Sequence, residues 1–154
     1  MRPQPAISNQ YRDGARLIVK PMTTARKLFY YNGGFLHQKQ LRRIMSLAGY
    51  KLTLGLPNPG DLVAVWGQSP NQYRGQWMAK KRQVGLLRVE DAFLRSVQPG
   101  RAGDPPLCLI LDRSGCHFDA SHPCYLENML RYDLLDDANL LRLAEQAIVR
   151  IRHN

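Results

Sequence analysis

The sequence predicts an α/β fold built on a Rossmann-like parallel sheet with flanking helices. Two observations predict it. Short apolar runs of strand length alternate with segments whose apolar residues recur at helical spacing. The joins carry the glycine, asparagine and Ser-Pro signals that stop strands and open helices. Strand, helix and strand repeated in this way require parallel pairing through crossovers.

Residues 1–24 hold Pro3, Pro5, Gly14 and Pro21 and no sustained periodicity, so they read as a mobile arm with one short strand near Leu17–Val19. Residues 25–154 read as one Rossmann-like domain. Lys27 to Gly34 is an apolar, aromatic strand stopped by Asn32-Gly33-Gly34. Leu36 to Ala48 sets Leu36, Leu41, Ile44, Leu47 and Ala48 on one helical face opposite Lys39, Arg42 and Arg43, and Gly49 closes the helix. Asp61 to Gly67 is the next strand, Ser69-Pro70 opens a helix over 70–82, and Gly85 begins a third strand. Leu107 to Asp112 is a strand that turns at Arg113-Ser114-Gly115 and returns through Cys116 to Ala120 as a hairpin. Helices near 124–131 and 137–152 finish the chain, with Asp136 as the cap of the second.

A chain of 154 residues suffices for one domain that buries roughly 70% of its unfolded surface. No apolar run reaches the roughly 18 residues of a membrane-spanning helix, and the N-terminus lacks the apolar core of a secretory signal, which places the protein in the cytoplasm. Cys108, Cys116 and Cys124 form no paired motif, and with His117 and His122 they match no zinc spacing, so no metal is expected. Residues 1–88 hold 15 Lys and Arg against Asp13 and Asp61, a net of +13, whereas residues 89–154 hold 7 basic and 10 acidic residues, a net of −3. The basic half suits phosphate polymers, anionic headgroups or a sugar nucleotide, and charge does not choose among them.

In doubly wound sheets, ligands sit outside the carboxyl ends of the strands, where loops and free helix N–H groups converge. Three loops qualify: Asn32-Gly33-Gly34, Trp66 to Pro70 with Gly67 and Gln68, and Glu90 to Ser96. The last concentrates Glu90, Asp91, Arg95 and Ser96 at one strand end. Adjacent carboxylates point to opposite sides, so one can reach a sugar while the other holds Arg95. Carboxylates suit glycosyl transfer as base or as nucleophile at an anomeric carbon. The competing explanation is a capping and salt-bridging cluster. Asp112 can bind a hydroxyl or simply cap its loop, and Asp119 reads as structural. Trp66, Trp77, Tyr30 and Tyr31 read as core and domain-face residues.

Val89-Glu-Asp-Ala-Phe-Leu-Arg-Ser96, Asp104-Pro-Pro-Leu-Cys-Leu-Ile-Leu-Asp112, Ser114-Gly-Cys-His-Phe-Asp-Ala-Ser121 and Pro123-Cys-Tyr-Leu-Glu127 occur in order, after Phe29-Tyr-Tyr-Asn-Gly-Gly-Phe35 and Ala64-Val-Trp-Gly67. Together these motifs resemble the capsular-polysaccharide biosynthesis and export family that contains the β-Kdo transferases. The chain differs from that pattern at Ala92, Cys108, His117, Phe118, Cys124 and Tyr125. The resemblance implies one half of a two-domain, GT-B-like glycosyltransferase that retains anomeric configuration. Such an enzyme moves 3-deoxy-manno-oct-2-ulosonic acid (Kdo) from CMP-Kdo to a glycolipid linker at the cytoplasmic face of the Gram-negative inner membrane.

On that resemblance, Asp91 and then Glu90 are the catalytic candidates. The resemblance adds Arg95 and Ser96 as substrate-binding candidates, and their place at strand ends and turns adds Gly67, Gln68, Asn32, Gly33 and Asp112. No cofactor is implied. The partners implied are a lipid-linked Kdo acceptor, an anionic membrane surface, and a C-terminal half or split subunit that binds CMP-Kdo, since the family continues past the point where this chain stops. Two other readings are a non-catalytic capsule assembly or export partner and a basic nucleic-acid-binding module, the latter suggested by the helix over 37–48. Neither accounts for the ordered motifs, and nucleic acid is not an expected partner.

Overall fold

The computed structural model of the chain describes residues 25–96, 98 and 102–153. The arm and short strand expected before residue 25 lie outside these residues. The α/β class is observed. The fold divides into two compact units between Leu111 and Asp112.

In the first unit, β3 (Leu62–Trp66) and the Leu28–Tyr30 part of β1 (Arg26–Tyr30) are apolar on both faces because helices cover both. Leu28, Tyr30, Leu62 and Ala64 join Leu87 and Val89 against Phe35, Leu41 and Met45 on one face. Phe29 and Val63 meet Ala79 on the other. With β2 (Tyr50–Thr53), β4 (Gly85–Asp91) and β5 (Leu109–Asp112), they form a five-stranded sheet in the order β2-β1-β3-β4-β5. β1 runs parallel to β2 and β3, and β3 parallel to β4, with Leu28 opposite Leu62 and Trp66 opposite Val89. In this doubly wound order, β1 and β3 are neighbours whose connections depart in opposite directions. In doubly wound folds, ligands bind beyond the carboxyl ends of such a pair, at the topological switch point.

The single helix expected over 36–48 is instead α1 (Gly34–His37) and α2 (Lys39–Leu47), separated at Gln38 by extended backbone (φ −99°, ψ 100°). α2 buries Leu41 and Met45, whereas Leu47 on the expected apolar face is 81% exposed. α3 (Gln72–Arg82) connects β3 to β4. It lies so close to the sheet that a Cβ added at Gly75 would sit 2.5 Å from Val65 Cγ1.

The second unit is organised by the buried Asp112. Its Oδ1 accepts from the Ser114 and Gly115 N–H groups (2.6 and 3.1 Å), and its Oδ2 from Tyr125 N–H (2.6 Å). These bonds fold 113–124 into turns, so the expected hairpin return through 116–120 does not form. α4 (Tyr125–Tyr132) begins with a capping box. Glu127 N–H donates to Cys124 Sγ (3.4 Å), and Cys124 N–H donates to the Glu127 carboxylate (2.8 Å). α5 (Ala138–Arg152) is capped by Asp137, one residue after the expected Asp136, through bonds from the Asn139 and Leu140 N–H groups, both 3.0 Å. No residue of α5 is buried.

Candidate functional site

The carboxyl ends of β1, β3 and β4 carry the three loops singled out in the sequence. After β1, Asn32 Oδ1 accepts from Gly34 N–H (3.0 Å) and its carbonyl from Phe35 N–H (3.2 Å), an Asx turn that launches α1. Gly33 has ordinary helical backbone (φ −59°), and a Cβ there would meet nothing within 4 Å, so the space before it is open.

After β3, Gly67 has φ +39°, in the left-handed region that favours glycine. Its N–H donates to Val89 O (3.0 Å), tying the loop to β4. A Cβ at Gly67 would overlap the Glu90 carboxylate, because that carboxylate lies directly over the glycine. Arg88, two residues earlier on the same face of β4, donates from Nη1 to Gln72 Oε1 (3.2 Å) and, at the long limit of hydrogen bonding, to Gly67 O (3.5 Å). The carboxyl ends of β3 and β4 therefore gather a carboxylate and a guanidinium around Gly67.

Asp91 faces the opposite side of β4. Its Oδ2 pairs with Arg95 Nε at 2.8 Å, the role foreseen for one of the two adjacent carboxylates. Among the described residues, Asp91 Oδ1 is buried and has no hydrogen-bond partner, a state that costs about 1–3 kcal/mol. Arg95 also donates from Nη1 to Ser96 Oγ and Asp104 O (both 2.9 Å), and Ser96 Oγ donates to Gln98 O (2.6 Å). With Leu107 N–H on Arg95 O (2.6 Å) and Gln98 N–H on Asp104 Oδ2 (2.9 Å), these bonds lace the loop after β4. Arg95 and Ser96 thus hold the Asp91 carboxylate and its loop in place.

Gln68 is exposed beside Gly67. Asp112 belongs to the second unit and has both carboxylate oxygens on backbone N–H groups, which is the loop-capping alternative. Sequence reasoning missed Arg88 and Gln72. The signal for Arg88 was the strand period of two that sets it on the Glu90 face. Burial raises the Tyr31 hydroxyl above its usual value, partly offset by Arg82. Burial, then Asp133 and Asp112, raise that of Tyr125. Cys108 is exposed, Cys116 and Cys124 are buried, and all three are free thiols. Among the described residues, no group of three His, Cys, Asp or Glu is arranged to hold a metal ion, and no helix is long and apolar enough to cross a membrane.

Residues 61–150, which span β3, α3, β4 and most of the second unit, match the family model described as capsule polysaccharide biosynthesis protein. The chain belongs to that family. The capsule polysaccharide modification protein LipA of Neisseria meningitidis serogroup B is 31% identical over 88 residues, 57% of this chain and 12% of that protein. The lipopolysaccharide-processing protein LpsZ of Rhizobium meliloti is 38% identical over 74 residues, 47% of this chain and 17% of that protein. The solved structure of Thermosulfurimonas dismutans KpsC, a beta Kdo 2,4 transferase, superposes with a TM-score of 0.69 at 28% identity, covering 84% of this chain and 40% of that one. The chain therefore spans less than half the length of each of these proteins.

Proposed function

We propose that this chain is the acceptor-side half of a retaining, GT-B-like glycosyltransferase that adds Kdo from CMP-Kdo to a lipid-linked Kdo acceptor in capsule synthesis. The observation that carries the reading is the match of 84% of the chain to a beta Kdo 2,4 transferase at a TM-score of 0.69. In this reading Asp91 is the first catalytic carboxylate. Arg95 pairs with its Oδ2 and orients the carboxylate, which receives the acceptor hydroxyl proton or meets the anomeric carbon. Glu90 and Arg88, beside Gly67 at the carboxyl ends of β3 and β4, contact the sugar. Asn32 and Gly33, after β1, flank it. CMP binds on sequence that the relatives carry beyond the matched region, and the enzyme works at the cytoplasmic face of an anionic inner membrane.

Calorimetric titration of the chain with a Kdo-terminated acceptor glycan, and separately with CMP-Kdo, tests this division of labour. Saturable acceptor binding that weakens in Glu90→Gln, with little affinity for CMP-Kdo, is the expected result. Tight CMP-Kdo binding with none to the acceptor would assign the chain to the donor side instead.

A further inference from the structure

We infer that the outer face of α3 with the loop after β2 is a docking surface for an anionic phospholipid bilayer. α3 presents Tyr73 and Trp77, one turn apart and 56% and 57% exposed, where Trp77 was expected in the core or at a domain face. They line an open groove of about 590 Å³ together with Tyr31, Arg74 and Met78. Large apolar side chains left in water on a soluble face mark an interaction site. Two more, Leu54 and Leu56, stand 63% and 59% exposed in the loop after β2. That loop is fastened to the same region, because Tyr31 Oη donates to Gly55 O (2.8 Å) and Arg82 Nε to Pro57 O (2.9 Å). The aromatics and leucines therefore belong to one surface held on a rigid frame.

The charge on this surface selects the partner. The Arg74 guanidinium lies 5.8 Å from the Tyr73 ring centroid, and Lys81 Nζ lies 4.7 Å from that of Trp77. Lys80 and Arg82 follow on the same helix, and neither α3 nor residues 50–60 contain an acidic side chain. Indole and phenol rings at headgroup depth, leucines below them and cations at the phosphates are the arrangement that holds a protein against an anionic bilayer. A carbohydrate fits the groove less well. Its lining is almost wholly apolar, and Tyr31 Oη, one of the few polar groups there, already donates to Gly55. A polyhydroxylated ring would lose hydrogen bonds on entering.

This assignment deepens the membrane element of the proposed function, and its test separates the two. The full chain is titrated with vesicles of equal parts phosphatidylglycerol and phosphatidylethanolamine, and with phosphatidylcholine alone, while tryptophan emission is followed. The expected result is binding to the anionic vesicles only, with a blue shift that vanishes in Trp77→Ala. Affinity should fall about tenfold in Trp77→Ala, from lost apolar burial, and roughly fivefold in Lys81→Gln. Trp66 packs on the core, so the shift reports Trp77. Anionic-vesicle binding unchanged in both variants would overturn the assignment of this face. Absence of vesicle binding, including preferential binding to a single-stranded oligonucleotide, would overturn the membrane itself as partner. Binding of a water-soluble Kdo-terminated acceptor glycan is read in parallel by calorimetry and should be equal in wild type and both variants. Its absence, with vesicle binding intact, sinks the acceptor-side reading and leaves this surface standing.

Discussion

Gly67 joins the backbone of the β3 loop to the carboxylate of Glu90, so Gly67→Ala perturbs both at once. An alanine at φ +39° pays about 1–2 kcal/mol for left-handed backbone. Its methyl group also occupies the position of the Glu90 carboxylate, with Oε2 only 2.8 Å from the new Cβ. That carboxylate is the end of a flexible chain and swings aside at little cost in stability, but it leaves its place over the β3 loop. Displacing a reacting or orienting group by about 1 Å lowers turnover roughly 100-fold. Gly67→Ala should therefore reduce unfolding free energy by about 1–2 kcal/mol in urea titrations and reduce Kdo transfer by about two orders of magnitude. In a Glu90→Ala background, the added methyl has no carboxylate to displace, so only the backbone cost should remain and the two substitutions should be non-additive in transfer. Unchanged stability would refute the backbone argument. Full additivity in transfer would refute the claim that Gly67 acts through Glu90.

Gly75→Ala gains helix propensity of about 1 kcal/mol, but its Cβ meets Val65 Cγ1 at 2.5 Å and Val63 Cγ1 at 3.3 Å. Overpacking of about 1–3 kcal/mol should outweigh that gain, giving a net loss in the urea midpoint. Asp112→Ala strands three backbone donors and should cost about 3 kcal/mol by the same measurement, with the circular dichroism of α4 weakened. Tyr31 and Tyr125 are held above the ordinary phenol value, so the unfolded chain loses their protons first, near pH 10. Their contribution to stability is complete below that pH and is lost as pH rises through their folded values. Denaturation midpoints should fall from about pH 10 upward, and less steeply in a Tyr31→Phe, Tyr125→Phe double variant.

The sheet was legible in the sequence where strands are buried on both faces. β3 reads as an unbroken apolar run and β1 as one after Arg26-Lys27, and the start of β4 was marked by Gly85 and the apolar pair after it. β2 was not expected, because Tyr50-Lys51-Leu52-Thr53 is a short edge strand with one polar side and follows the helix-ending Gly49 directly. Helical spacing from Leu36 to Ala48 concealed the break at Gln38, whose side chain gives no sign of extended backbone. The hairpin after β5 failed because Asp112 captures the backbone donors that a ladder would have used.

The site was legible as a set of loops, since strand carboxyl ends and glycines announce themselves. The assignment of Asp91 and Glu90 to opposite faces followed from the pleat alone. Which carboxylate would take Arg95 and which would cover Gly67 depended on the tertiary path of the β3 loop, which no local pattern encodes. The exposure of Trp77 was equally hidden, because an apolar neighbourhood in sequence does not reveal which helix face the sheet covers.

The most direct test of the central claim is Kdo transfer by the native protein purified from its own cells. It is incubated with CMP-Kdo and a Kdo-terminated acceptor, and the acceptor is followed by mass spectrometry for wild type and Asp91→Asn. The account predicts an acceptor heavier by one Kdo residue with wild type, and a rate at least about 100-fold lower with Asp91→Asn while the fold is retained. Undiminished transfer by Asp91→Asn would contradict the role given to this carboxylate, and no transfer by wild type would contradict the transferase reading itself.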